Sequence, residues 1–135
     1  MSITRAGPWA LLLPLLLAAG CAYATMQDAV GGRGEGTSAV YPVTPSKASA
    51  LARRVIYRAC PFDIQSSRDG SLLTCEASAG PDTTFIAVWI DPGPTEGESV
   101  VTIRSVKRSP TQIMNRLPED QFHAQFRAAL EGKRE

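Results

Sequence analysis

Apolar residues recur every three or four positions over "VTPSKASALARRVIYRAC", residues 43–60, as on one face of an amphipathic helix. Thr44 suits the N-cap and Pro45 the first helical position, so the helix is predicted to begin there. Pro61 is expected to end it, because proline cannot continue a helix. The folded domain is therefore predicted to open with a helix that buries one apolar stripe.

A second helix is predicted near the C-terminus. Phe122, Phe126 and Leu130 lie four residues apart, which places them on one helical face. Upstream, the letters "SPTQ" at residues 109–112 have the spacing of a capping box. Helical structure is therefore predicted to begin at that point and to restart after Pro118.

Short β-rich runs separated by turn signals lie between the two helices. An Asp-Gly pair at residues 69–70 is a hairpin signal, and the prolines and glycines within residues 91–98 predict a loop. Strands are predicted at residues 62–67, 71–78, 83–90 and 99–108. The predicted fold class is α+β, in the order α-β-β-β-β-α, with an antiparallel four-stranded meander packed against two helical segments.

The start of the chain has the layout of a secretory signal peptide. Arg5 supplies positive charge, and an apolar run interrupted only by Pro14 covers residues 10–19. Such a run is too short to span a hydrocarbon core of ~30 Å as a helix. Residues 1–20 are therefore predicted to be a signal peptide, and the rest of the chain is predicted to be exported.

The letters "LAAGC" at residues 17–21 resemble the lipobox of bacterial lipoproteins, with Ala18 at a position where that family favours Leu. The resemblance implies cleavage before Cys21, a diacylglyceryl group on its sulfur, and fatty acids such as palmitate as the anchor. Two or three acyl chains hold a protein firmly in a membrane. Ala22 follows the cysteine where Asp would favour the inner membrane, which implies the periplasmic side of the outer membrane.

A second cleavage signal overlaps the first. Ala22, Tyr23 and Ala24 follow the small-x-small rule of ordinary signal cleavage. Cleavage after Ala24 would release a soluble periplasmic or secreted protein, and the sequence leaves both routes open.

A flexible tether is predicted after Cys21. The letters "GGRGEGTS" at residues 31–38 contain four glycines and no large apolar side chain, so burial is not expected to offset the chain entropy. Residues 21–43 are therefore predicted to be the lipidated cysteine and a Gly-rich tether. Residues 44–132 are predicted to form a small disulfide-stapled α+β domain, and residues 133–135 a C-terminal tail.

Cys60 and Cys75 are predicted to form a disulfide bond. An exported chain meets oxidising conditions, and the bond would join the end of the first helix to a strand. The sequence has three cysteines, so removing Cys21 from the count leaves an even pair. Redox activity is disfavoured because the pair does not have the Cys-x-x-Cys spacing.

Charge and motifs argue against several function classes. Arg5 is one of 14 basic residues, so the chain without it has 13 basic and 13 acidic residues, and nucleic acid is not an expected partner. His123 is the only histidine and is expected on the surface of the last helix; a metal site is not expected, because zinc needs three or four ligands. No cofactor is expected.

Three carboxylates lie near the first hairpin: Asp63, Asp69 and Glu76. Asp69 is explained by its place in the turn, and Glu76 by a solvated strand face.

Arg53, Arg54, Arg58 and Trp89 are the candidate partner contacts. The arginines lie mostly off the apolar stripe of the first helix, and Trp89 lies on a strand that is apolar on both faces. If helices cover its face, Trp89 belongs to the core; if they do not, it is a candidate contact residue.

The sequence thus predicts a non-enzymatic lipoprotein, an accessory or assembly subunit that binds another envelope component. The alternative is a soluble protein that binds a small ligand.

Overall fold

The strands predicted between the two helices form an antiparallel meander, and one further strand joins its open edge. The strands are β1 (Thr37–Tyr41), β2 (Gln65–Ser66), β3 (Leu72–Ala79), β4 (Asp82–Pro92) and β5 (Ser99–Lys107), and the helices are α1 (Met26–Gly31), α2 (Pro45–Tyr57) and α3 (Glu119–Leu130). The sheet order is β1-β5-β4-β3-β2, and all neighbouring strands are antiparallel. The predicted α+β class is therefore confirmed.

These elements come from a computed structural model that describes residues 23–79 and 82–132. The predicted signal peptide, Cys21 and the C-terminal tail at residues 133–135 lie outside the described residues. Within the described part of the chain, no helix is long and apolar enough to cross a membrane.

The first face of the sheet packs against α2 and α3. Val55 and Ile56 of α2 are at most 1% exposed, and Phe122 and Phe126 of α3 are completely buried. They form one cluster with alternate residues of the strands, among them Ile86. Thr44 caps α2 by accepting a hydrogen bond from the Lys47 amide at 3.4 Å, so the predicted helix start is confirmed.

The second face of the sheet is covered by residues 24–35, which we call the N-terminal cover. Ala29 of α1 is completely buried in a cluster with Phe85, Ala87 and Trp89 of β4. The cover includes α1 and a turn of 3₁₀ helix at Arg33–Glu35. This differs from the flexible tether predicted over residues 21–43, because burying the apolar face of β4 stabilises a helix that would be too short to persist alone.

Polar contacts fix both ends of the N-terminal cover. At its start, the Thr25 amide donates a hydrogen bond to the Asp28 carboxylate at 2.7 Å, as part of a capping box. At its end, the Arg33 guanidinium lies 5.7 Å from the centre of the Trp89 ring and forms an ion pair with Asp91. The cover is therefore attached to the sheet by charge as well as by apolar burial.

Strand β1 also falls within the predicted tether. It pairs with β5 from Thr37, opposite Ile103, to Tyr41, opposite Ser99. Gly36, directly before this strand, approaches β5 so closely that an added Cβ would lie 2.7 Å from the Ile103 carbonyl oxygen. At least one of the glycines that suggested flexibility therefore allows close packing of backbone on backbone.

Replacing Gly36 with alanine is expected to lower the free energy of unfolding by about 1–3 kcal/mol, because the new methyl group must displace backbone in a packed sheet. Gly34→Ala is the matched control, since its Cβ would meet nothing within 4 Å. Urea unfolding followed by far-ultraviolet circular dichroism measures both. Equal stability of the two variants would contradict the packing of residues 36–41 against β5.

The segment before α3 is not helical as predicted. The Gln112 amide donates to the Ser109 carbonyl at 3.1 Å, which makes a turn, and the helix begins only at Glu119. The Gln112 side chain accepts a hydrogen bond from the Thr83 amide of β4 at 3.3 Å and donates to the Met114 carbonyl at 2.7 Å. The capping box predicted at residues 109–112 was therefore wrong, because its glutamine binds the sheet.

Candidate functional site

The structure brings together the two cysteines that were predicted to form a disulfide bond. Cys60 and Cys75 are bonded, with their Cα atoms 6.1 Å apart, and both residues are at most 2% exposed. Cys60 follows α2, and Cys75 lies in β3 opposite Ile86 of β4. The bond therefore joins the end of a helix to the interior of the sheet, as predicted.

Asp69 stabilises the turn between β2 and β3. Its Oδ1 atom accepts hydrogen bonds from the Ser71 hydroxyl at 2.7 Å, the Ser67 hydroxyl at 2.9 Å and the Ser71 amide at 3.0 Å. These bonds, those from Ser71 first, lower the pKa of Asp69 from 3.8 to about 2. The carboxylate thus has the role in the turn that the sequence predicted.

Asp69→Asn is expected to reduce the acid sensitivity of the domain. Because the folded pKa lies below the unfolded value, the carboxylate stabilises the fold above pH 3.8, and this contribution is lost as the pH falls through about 2. Urea midpoints measured across this range should fall less steeply for the variant than for the wild type. Asp63→Asn, at an exposed position outside the turn, controls for loss of one negative charge. Parallel acid profiles of wild type and Asp69→Asn would contradict this role.

His123 is buried, so its predicted place on the helix surface was wrong. It is 4% exposed, and its Nδ1 lies 2.6 Å from the Tyr41 hydroxyl oxygen while its Nε2 lies 2.9 Å from the Thr37 carbonyl oxygen. A carbonyl only accepts, so Nε2 donates to Thr37, and Nδ1 forms a hydrogen bond with the Tyr41 hydroxyl. Burial raises the pKa of Tyr41, opposed by Arg127. His123 therefore joins α3 to β1, the strand that the sequence analysis missed.

Trp89 belongs to the second-face cluster and is 7% exposed. The two helices expected to cover the sheet lie on the other face, and the N-terminal cover provides the remaining burial. Trp89 is therefore a core residue, and this corrects its candidate role as a partner contact.

The three predicted arginine contacts remain at the surface. Arg53 and Arg54 are exposed on α2, and Arg58 is exposed directly after it. Tyr57, at the end of the same helix, is 56% exposed and adds an aromatic ring to this region. Residues 53 and 57, and residues 54 and 58, are four positions apart, so these side chains are neighbours along the helix. We call this surface the arginine face.

A second surface, which the sequence analysis did not identify, lies where β5 ends and β4 begins. An open groove of about 580 Å³ is lined there by residues that include Tyr23, Asp82, Arg108, Ile113 and Met114. Ile113 is 91% exposed, Tyr23 is 70% exposed and Met114 is 51% exposed. We call this region the sheet-end surface. The sequence analysis predicted helical structure from Ser109 and did not identify Ile113 or Met114 as candidates.

The start of the described chain is held at the sheet-end surface. The Ala24 amide donates a hydrogen bond to the Arg108 carbonyl at 2.8 Å, and the Arg108 guanidinium lies 5.9 Å from the centre of the Tyr23 ring. The Arg108 amide in turn donates to the Thr83 carbonyl of β4 at 2.9 Å. The chain therefore enters the domain at this end of the sheet.

Metal-ligating side chains do not converge in the described residues. No group of three His, Cys, Asp or Glu side chains there is arranged to hold a metal ion. Asp63 and Glu76 are both exposed. The candidate sites that remain are therefore the arginine face and the sheet-end surface.

No family model matches the chain, and no curated protein matches it. Among solved structures, it is similar to the crystal structure of a putative uncharacterized protein from Bacillus thuringiensis, with 9% sequence identity. The similarity covers 71% of this chain and 92% of that chain, with a TM-score of 0.34. A likeness this distant carries no functional argument.

Proposed function

We propose that this protein is a non-enzymatic lipoprotein of the bacterial envelope, anchored by lipid on Cys21 at the periplasmic side of the outer membrane. In this role it is an accessory or assembly subunit that binds another envelope component. The observation that carries the proposal is the pairing of Cys60 with Cys75. That bond suits an oxidising compartment, and it leaves Cys21, within the lipobox-like letters, as the remaining cysteine of three.

The roles of the polar residues support a binding function over a catalytic one. Asp69 holds a turn, and His123 links α3 to β1 through Tyr41 and Thr37. A catalytic acid or base must instead reach a substrate proton. Asp69 and His123 therefore already have structural partners.

The arginine face is the proposed contact with the partner. Tyr and Arg are enriched among residues that dominate binding energy at protein interfaces, and this face presents Tyr57 together with Arg53, Arg54 and Arg58. A membrane anchor confines the domain to a thin layer and so raises its effective concentration for neighbours in that layer. An envelope protein with an acidic surface fits this contact.

Intact mass of the mature protein purified from envelopes tests the anchor. A chain that begins at Cys21 and carries a thioether-linked diacylglyceryl group is expected. A chain that begins at Thr25 would overturn the anchor and favour the soluble alternative. Cys21→Ser is the control, because it removes the sulfur that accepts the lipid while leaving the Cys60–Cys75 bond intact.

Crosslinking in intact envelopes, with a photoreactive residue at position 57, tests the partner contact. Arg54→Glu is expected to reduce the amount of the crosslinked species. Glu96→Lys is also a charge reversal, of the same size and opposite sign, in the exposed turn between β4 and β5, and it is expected to have no effect. Equal crosslinking in both variants would contradict the arginine face as the contact.

A further inference from the structure

The sheet-end surface is the place where an anchor on Cys21 would meet the folded domain. Tyr23 and Ala24 lie at this surface through the Arg108 contacts, and Cys21 precedes Tyr23 by two positions. Two residues of extended chain span at most about 7 Å. A lipid on Cys21 therefore cannot hold the domain far from the bilayer, whereas a tether of about 20 residues would span roughly 25 Å.

The residues at this surface are those that suit a membrane interface. Ile113 and Met114 present apolar side chains at 91% and 51% exposure, next to the 70% exposed ring of Tyr23. Tyrosine favours the headgroup level of a bilayer, because its ring is apolar and its hydroxyl is polar. Arg108 is exposed and can meet lipid phosphates, whereas Asp82 in the same groove is half-buried.

We propose that the sheet-end surface rests on the lipid bilayer that holds the Cys21 anchor, with Ile113 and Met114 inserted at the headgroup and acyl-chain boundary. This inference rests on the lipid anchor proposed above. It adds a defined orientation to the domain. The edge at which β5 ends and β4 begins faces the membrane. The turn between β4 and β5 then faces away, roughly 30 Å distant along a strand of 11 residues.

Depth-dependent fluorescence quenching tests this orientation. Ile113→Cys and, as the matched control, Glu96→Cys are labelled with the same polarity-sensitive fluorophore, each on the lipidated mature chain. Both positions are exposed, so neither substitution removes a buried contact. The proteins are reconstituted into phosphatidylethanolamine and phosphatidylglycerol vesicles that contain lipids brominated on their acyl chains. The label at position 113 is expected to shift to the blue and to be quenched several-fold more strongly than the label at position 96.

Two results would overturn the inference, and they are distinguishable. Equal quenching at positions 113 and 96, on a chain whose mass includes the lipid, would reject the bilayer contact and leave the anchor intact. A mass without lipid on Cys21 would reject the anchor and the bilayer contact together.

Discussion

Replacing both Cys60 and Cys75 with alanine will lower the free energy of unfolding by about 3 kcal/mol. The bond joins residues separated by 15 positions, and cross-linking them removes conformational entropy from the unfolded chain. Small domains are stable by only about 5–15 kcal/mol, so a loss of this size is a large fraction of the total. Urea unfolding of the protein, followed by circular dichroism, measures it.

Reduction separates the effect of the bond from that of the side chains. A thiol reductant should lower the urea midpoint of the wild type towards that of the double variant, and it should leave the variant unchanged. Cys21→Ser is the matched cysteine control and should keep the wild-type midpoint, because Cys60 and Cys75 remain paired. A wild-type midpoint that reductant does not move would contradict the contribution of the bond.

Trp89→Ala is expected to destabilise the domain by about 3–5 kcal/mol, the usual cost of removing a large aromatic side chain from a core. Trp89 is 7% exposed and packs with Phe85, Ala87 and Ala29. The substitution also removes the ring against which Arg33 lies. The N-terminal cover should therefore loosen, and hydrogen exchange of its amides should accelerate more than that of α3.

Phe62→Ala is the matched control for Trp89→Ala. Phe62 is an aromatic residue that is 97% exposed, so its removal is expected to change stability by less than about 0.5 kcal/mol. If Trp89→Ala were as mild as Phe62→Ala, the second face of the sheet would not be covered as described.

The elements with a strong local pattern could be predicted from sequence. Helix α2 has both an apolar stripe and the cap of Thr44 with Pro45, and strand β4 is apolar on both faces. The hairpin at Asp69 and the bond between Cys60 and Cys75 also have local or compositional signals. Each of these features is determined by residues close together in sequence or by a small set of cysteines.

The N-terminal cover and β1 could not be predicted from composition, because their stability comes from contacts distant in sequence. Glycine content suggested a tether. At position 36, however, the glycine is needed because a Cβ would collide with the Ile103 carbonyl oxygen. A local signal was present in the spacing of Thr25 and Asp28, which form a capping box. The apolar second face of β4 was a further signal, since Trp89 needed a cover that two helices on the other face could not provide.

The candidate site changed for the same reason. Trp89 became a core residue once the N-terminal cover was placed, and His123 became a buried link once β1 was placed beside α3. The arginine face stayed at the surface because it lies opposite the apolar stripe of α2. The sheet-end surface was missed because its residues, among them Tyr23, Asp82 and Ile113, are distant in sequence and lie together only in the folded domain.

Hydrogen exchange of the protein tests the central claim most directly, which is that residues 24–41 belong to the folded domain. The amides by which β1 pairs with β5, and the amide of Ala29, are expected to exchange as slowly as those of β3. Complete exchange of residues 24–41 at the rate of an unfolded chain, with β3 still protected, would contradict the account.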